Sequence, residues 1–179
     1  MNHDGVIDSN DQAPIGYNPV PEMTFSLAAG LNWKGIDFSI LLQGAARSSI
    51  YLQQDIAWDN FWGNYYEEHI GRWTPETAAT ATYPRFTKAA TAAHPNYYKS
   101  DYWLKDSKYL RLKNIQLGYT IPRKLLKKFG VRSLRVYANA YNLFTWDNVK
   151  KVDPESSNNS NGQFYPQQKV INFGINLNF

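Results

Sequence analysis

Lys169-Val170-Ile171-Asn172-Phe173-Gly174-Ile175-Asn176-Leu177-Asn178-Phe179 is the stretch whose reading decides the fold. Ile171, Phe173, Ile175, Leu177 and Phe179 alternate without error against Val170, Asn172, Gly174, Asn176 and Asn178. Successive side chains of a strand point to opposite faces, so this period of two predicts a long strand with one apolar face and one largely polar face.

Working back along the chain, four more segments show the same period. Met23 to Trp33 places Met23, Phe25, Leu27, Ala29, Leu31 and Trp33 on one face. Lys34-Gly35 then makes a tight turn into Ile36 to Ala45, so the two segments predict a hairpin. Tyr109 to Ile121 alternates from Asn114 onward, but Leu110 and Leu112 are out of phase with Ile115, Leu117 and Tyr119. One extra residue near Lys113, a β-bulge, would restore the phase. Pro122 ends that strand, and Arg123 to Phe129 predicts one or two helical turns stopped by Gly130. Ser133 to Phe144 sets Leu134, Val136, Ala138 and Ala140 against Arg135, Tyr137, Asn139 and Tyr141.

The connections between these strands alternate short and long. Lys34-Gly35 and Pro122 to Arg132 are short; residues 46–107 and 145–168 are long, and residues 1–22 precede the first strand. Up-and-down barrels of the outer membrane have this asymmetry, with short periplasmic turns and long outer loops. Eleven residues at ~3.3 Å each, tilted by ~40°, span on the order of 28 Å, which suits the apolar band of such a barrel. The fold class expected is therefore all-β: five antiparallel strands from the C-terminal end of a transmembrane β-barrel, at residues 23–179, with extracellular loops at 46–107 and 145–168. The competing architecture is a soluble β-sandwich, but its strands usually run to only about 5–6 residues. Five strands are too few to close a barrel, and polar residues directly follow Met1, so a longer parent chain is expected.

Composition narrows the function. The chain has 179 residues, no Cys, a formal charge of +4 and 16% aromatic residues, with 13 Tyr, 6 Trp and 9 Phe. Disulfide frameworks, thiol nucleophiles and zinc knuckles are excluded. The positive charge gathers at Arg123 to Arg132 instead of forming a broad nucleic-acid footprint. No apolar run approaches the ~20 residues of a membrane-spanning helix, a test that β-barrel strands escape. His3, His69 and His94 have no metal spacing, and no nucleophile elbow, zincin helix or phosphate loop occurs. The chain is not expected to be an enzyme.

Three groups of residues invite a binding role. Asn2, Asp4, the Val6 carbonyl, Asp8 and Asp11, with Gly5 at the turn, fill most positions of a calcium loop, so calcium is the candidate cofactor. A surface turn rich in Asp, Asn and Gly fits the same residues. Trp58, Trp62, Tyr65 and Trp73 lie in the long insert, where Asp55 to Gly71 could hold a short helix. Their rings suit stacking on sugars or peptides, or packing the loop against itself or a partner. Arg123, Lys124, Lys127, Lys128 and Arg132 form a basic turn suited to anionic headgroups or simply to solvent. A secreted, calcium-stabilised carbohydrate-binding β-sandwich using Trp58, Trp62 and Trp73 is the alternative reading.

Beyond these patterns, Asp106-Ser107-Lys108-Tyr109-Leu110-Arg111-Leu112-Lys113-Asn114-Ile115-Gln116-Leu117-Gly118-Tyr119-Thr120-Ile121-Pro122 closely resembles a signature of the SusC/RagA-type TonB-dependent transporters. Leu134-Arg135-Val136-Tyr137, Tyr141-Asn142-Leu143-Phe144-Thr145, Asp153-Pro154-Glu155 and Tyr165-Pro166-Gln167 resemble the same family. So do Asp4-Gly5-Val6-Ile7-Asp8, Pro14-Ile15-Gly16 and Trp33-Lys34-Gly35-Ile36-Asp37-Phe38. The resemblance implies an outer-membrane barrel of 22 strands with an N-terminal plug. It implies a SusD-like surface lipoprotein as partner, coupling to TonB through an N-terminal part that these residues lack, and energised import of glycans or peptides. It assigns no transport residue within this chain.

Overall fold

The computed structural model describes residues 5, 9–61, 63–88, 94–150, 152–156 and 165–179. In chain order the strands are β1 (Met23–Trp33), β2 (Ile36–Ala46), β3 (Ser49–Tyr51), β4 (Leu104–Asp106), β5 (Tyr109–Thr120), β6 (Ser133–Asp147) and β7 (Val170–Asn178). The chain divides into two compact units. One comprises Pro21–Arg47, Lys108–Asn148 and Pro166–Phe179; the other comprises Met1–Val20, Ser48–Ser107 and Val149–Tyr165.

The first unit is an antiparallel sheet of order β1-β2-β5-β6-β7. All five strands expected from the alternation are present, and β6 runs three residues past the expected Phe144. Lys34 and Gly35 have φ of 48° and 90°, the left-handed pair that a two-residue hairpin turn requires. The phase break falls where the sequence places it. Leu41 pairs with Asn114 and Leu42 with Leu112, so Lys113 is the extra residue. On the other side of β5, Leu112 pairs with Phe144 and Asn114 with Tyr141, and Asn142 takes a φ of 50°. The helical turns after Pro122 are α1 (Arg123–Leu126) and a 3-10 turn at Lys127–Phe129, closed by Gly130 at φ 68°.

Register lines the apolar side chains up in rows across the sheet. Trp33, Ile36, Tyr119, Val136 and Ile175 form the row nearest the short turns. Phe25, Gly44, Leu110 and Trp146 form a row near the long connections. Eight residues of β1 separate Phe25 from Trp33, about 26 Å along the strand. This face has no cover within its unit: Leu27, Leu31, Leu117, Ile171, Phe173 and Ile175 are all exposed, Phe173 at 82%. A contiguous apolar surface of this kind belongs to a partner or a lipid phase, not to water. Aromatics at both ends of the band, Trp33 and Tyr119 against Phe25, Phe144 and Trp146, have the placement of interface girdles.

The opposite face is polar and internally braced. Arg135 on β6 reaches over Gly118 on β5 to Asp37 on β2, donating from Nε to Oδ1 at 2.9 Å and from Nη2 to Oδ2 at 2.5 Å. The Arg135 guanidinium also lies 4.8 Å from the Tyr137 ring centre. Tyr137 in turn covers Gly174, where a Cβ would collide with the ring. At Gly118 a Cβ would stand 2.5 Å from both Asp37 carboxylate oxygens and 2.6 Å from Arg135 Nη2. Gly118 is thus the gap through which a two-strand ion pair passes.

Gly30 lies on the same polar face, yet a Cβ there meets nothing closer than 3.6 Å. Gly118→Ala is therefore expected to cost about 1–3 kcal/mol, and Gly30→Ala far less. Unfolding of both variants in detergent, followed by heat-dependent gel mobility of the full-length protein, measures the difference.

Candidate functional site

The second unit gathers the segment before β1 and the two long connections. Strands β3 and β4 pair antiparallel within it, Ser49 opposite Asp106 and Tyr51 opposite Leu104. This small ribbon was not visible in the sequence, because three residues are too few to show a period. Asp55 to Gly71 holds no α-helix among its described residues. It contains 3-10 turns at Gln54–Ile56 and Glu67–Gly71. The apolar residues described there are mostly rings, and they do not form the single stripe an amphipathic helix needs.

The interior of this unit is aromatic. Ile50, Leu52, Ala57, Trp58, Tyr83, Tyr97, Trp103 and Val149 form its core. Trp58 meets Tyr97 at 4.7 Å between ring centres and Phe61 edge-on at 5.9 Å. Edge-on and tilted pairs of this kind contribute about 0.5–1.5 kcal/mol each beyond the area they bury.

At the centre of these rings sits a carboxylate, Asp59, 1% exposed. The Asp59 Oδ2 accepts the Thr87 N–H at 3.1 Å. Its Oδ1 accepts a short hydrogen bond from the Tyr97 hydroxyl and lies 3.3 Å from the Tyr83 hydroxyl. The Tyr83 hydroxyl also accepts the Asp59 N–H at 2.9 Å and lies 2.9 Å from the Ala57 carbonyl. A buried carboxylate is tolerated only when its lone pairs are filled, and here donors from residues 24 to 38 positions away fill them. Burial, and secondarily the Asp59 charge, pushes the Tyr83 hydroxyl far above the usual phenol range. Tyr97 is pushed the same way by burial and by its bond to Asp59. His69, 2% exposed, ties the turns together: its Nδ1 accepts the Tyr66 N–H at 3.0 Å, which leaves Nε2 to donate to Ala57 O at 3.2 Å.

The ring residues expected to stack on a ligand separate on this frame. Trp58 is 3% exposed and belongs to the core, with its indole N–H buried and unpaired. It cannot offer a face to a ligand here, because Tyr97 and Phe61 already occupy its surroundings. Tyr65 is 57% exposed, backed by Phe86 at 5.5 Å and by His69 edge-on at 6.0 Å. Trp73 is 39% exposed, and its main-chain N–H donates to Tyr83 O at 2.9 Å. Trp62 lies outside the described residues, as do Asn2, Asp4, Val6 and Asp8 of the calcium-loop pattern. Asp11 closes a 3-10 turn at Ser9–Asp11. Among the described residues no group of three or more His, Asp or Glu could hold a metal.

No family model matches the chain. Curated relatives do. The chain is 30% identical over 195 aligned positions to TonB-dependent receptor P26 of Formosa agariphila, an alignment covering 99% of this chain and 19% of that protein. It is 27% identical to the TonB-dependent receptor SusC of Bacteroides thetaiotaomicron, covering 99% of this chain and 17% of the relative. The fold agrees: a chain of the RagAB peptide importer in its open-open state superposes with a TM-score of 0.70 at 23% identity, covering 97% of this chain and 19% of that one.

Over nearly its whole length this chain is similar to one stretch of the SusC/RagA-type TonB-dependent receptors. It spans about a fifth of the length of the curated relatives it matches. The alternation and the signature around Tyr109 to Pro122 pointed to the family. Asp59, Tyr83 and Tyr97 carried no sequence signal, because the three residues are far apart and none sits in a recognisable motif.

The Asp59 cluster yields two expectations. Asp59→Ala leaves the Thr87 N–H and the Tyr97 hydroxyl without this acceptor, while the Tyr83 hydroxyl keeps the Ala57 carbonyl, at about 1–3 kcal/mol for each group left unsatisfied. Faster protease cleavage within residues 48–107 of the full-length protein, with the five long strands left uncut, reports that loss. Tyr83 and Tyr97 have raised folded-state values, so their contribution is complete below the ordinary phenol pKa of about 10 and is lost as pH climbs beyond it. In a 295 nm titration these two should ionise after the exposed tyrosines, together with unfolding. Ionisation near pH 10 with the fold intact would contradict the burial described.

Proposed function

We propose that this chain supplies the last five strands of a 22-stranded outer-membrane barrel that imports nutrients. The observation that carries the reading is the uncovered apolar face of the sheet, flanked by aromatic rows, in a chain whose relatives are named TonB-dependent receptors. Residues 1–22, 46–107 and 145–168 are its outer loops, and the polar face lines the lumen. Energy enters from TonB through a plug carried elsewhere in the protein. A SusD-like surface lipoprotein is the partner, and the cargo is glycan or peptide. SusC and RagAB, as relatives, support this partnership in general terms. The secreted sandwich is not favoured, since a sandwich covers its apolar face with a second sheet.

Within the outer loops, Tyr65, Trp73 and Trp62 are the proposed substrate-facing rings, with Trp58 supporting them from the core. Tyr65→Ala and Trp73→Ala, each in the full-length receptor, should weaken cargo binding by about 0.5–1.5 kcal/mol, or roughly two- to tenfold in Kd. Calorimetry against oligosaccharide and peptide panels measures it; an unchanged Kd in the double variant removes these rings from the site. Calcium at Asn2, Asp4, the Val6 carbonyl, Asp8 and Asp11 is a separate proposal, resting on ligand spacing. Calcium binding by the full-length protein should vanish in Asp4→Ala, and a titration curve unaffected by that change rejects the site.

A further inference from the structure

Two features of the sheet unit remain without a role, and they adjoin one another. The first is a shallow apolar hollow of about 470 Å³ on the uncovered face, lined by Ile36, Leu117, Tyr119, Val136, Ala138 and Phe173. Register explains it. Leu117, Ala138 and Phe173 form one cross-strand row, so a methyl side chain on β6 sits between two large ones. Ala140 repeats the arrangement in the next row between Ile115 and Ile171, extending the low ground along β6. The volume is on the scale of a small-ligand site, roughly 300–1,000 Å³.

The second feature is the turn joining β5 to β6. Arg123, Lys124, Lys127, Lys128 and Arg132 are all exposed. No acidic residue occurs between Ser107 and Trp146. Asp37, the carboxylate on the neighbouring strand at this end, is already held by Arg135. Among the described residues, none of the five turn cations has a carboxylate partner. The same turn also exposes Leu125 at 65% and Phe129 at 77%, while Leu126 between them is buried against the fold. Water alone would not select two large apolar side chains set among five cations. An interface with acyl chains on one side and anionic headgroups on the other fits both.

Tyr119 stands four residues before Arg123, and Val136 four residues after Arg132, so the turn joins the two strands at the end of the hollow. We infer that the turn and the hollow together bind one anionic glycerophospholipid of the periplasm-facing leaflet. The phosphate lies among Arg123, Lys124, Lys127, Lys128 and Arg132, and one acyl chain follows the small residues of β6. The inference rests on the barrel reading above. Anionic charge is required because the turn carries no compensating acid, and a lipid is required because the hollow continues the apolar band.

The full-length receptor in detergent, exposed to equal amounts of phosphatidylglycerol and phosphatidylethanolamine and read by native mass spectrometry, tests this. The wild type should retain phosphatidylglycerol on the order of tenfold over phosphatidylethanolamine. Replacing all five cations by Gln should abolish that preference. Ala138→Phe, which fills the hollow and leaves the charges, should shorten retention of phosphatidylglycerol severalfold. Equal retention of the two lipids by the wild type, or an undiminished preference in the Gln variant, overturns the inference, and unchanged retention in Ala138→Phe overturns the acyl seat. Carbonate extraction of membranes separates this from the parent reading: a protein released by carbonate defeats the barrel itself, whereas an integral protein without lipid preference defeats only the site.

Discussion

On the proposed barrel reading, the sheet depends on one constraint: a polypeptide that meets lipid must satisfy every main-chain N–H and C=O within protein. Each unpaired group in hydrocarbon costs several kcal/mol, so a strand survives there only with neighbours on both sides. In this chain β2, β5 and β6 have two neighbours, and β1 and β7 have one each. The period of two follows from the same constraint. Once the main chain is committed to its ladders, only side chains remain to match lipid on one face and water on the other. That is why a chain of negative mean hydropathy presents an unbroken apolar face. It is also why β1 and β7, with one neighbour each, would need further strands beside them in a membrane; the relatives are about five times longer than this chain.

The same constraint explains what holds the other unit together. Among its described residues there is no long ladder: β3 and β4 contribute three residues each. Side chains must therefore do the joining, and a buried carboxylate is an efficient way to do it. Asp59 accepts from a main-chain N–H and from two phenols, and so fixes Thr87, Tyr83 and Tyr97 at once. The arrangement is specific because it is costly to leave incomplete: lose one donor and the charge stays behind in an apolar interior. Aromatic rings around it supply the apolar burial that a loop of this composition otherwise lacks. Tyr65 and Trp73 owe their exposure to that frame, since the residues behind them, Phe86, His69 and Tyr83, are already engaged.

How much of this was legible depends on whether the information was local. Alternation is local, and so all five long strands, the Lys34-Gly35 turn and the stop at Gly130 could be read directly. The phase break at Leu112 even located the bulge, because an extra residue must appear wherever apolar positions change parity. Asp59 was not legible, since its meaning lies in residues 24 to 38 positions away that have no motif of their own. The same holds for Arg135 and Asp37, which are 98 residues apart. Trp58 shows the limit from another side. In sequence it is one more ring in an aromatic insert, equivalent to Tyr65 or Trp73. Only the folded unit distinguishes the ring that builds the frame from the rings that stand on it.

The polar face contains a related economy. Gly118 and Gly174 look in sequence like weak points, because glycine contributes no packing to a strand. In the sheet each is covered by a neighbour: Gly118 by the Asp37–Arg135 pair and Gly174 by the Tyr137 ring. The chain of contacts runs Asp37, Arg135, Tyr137, Gly174, and so couples β2, β6 and β7 while passing over β5. A glycine in β5 is what lets an ion pair lie flat across a strand it does not touch by side chain. Such a brace resists shear between strands, which main-chain ladders alone resist poorly, since a slip by two residues restores both the hydrogen bonds and the facing of every side chain. Register in this sheet is thus fixed twice, by the bulge at Lys113 on one side of the alternation and by paired charge over a glycine on the other.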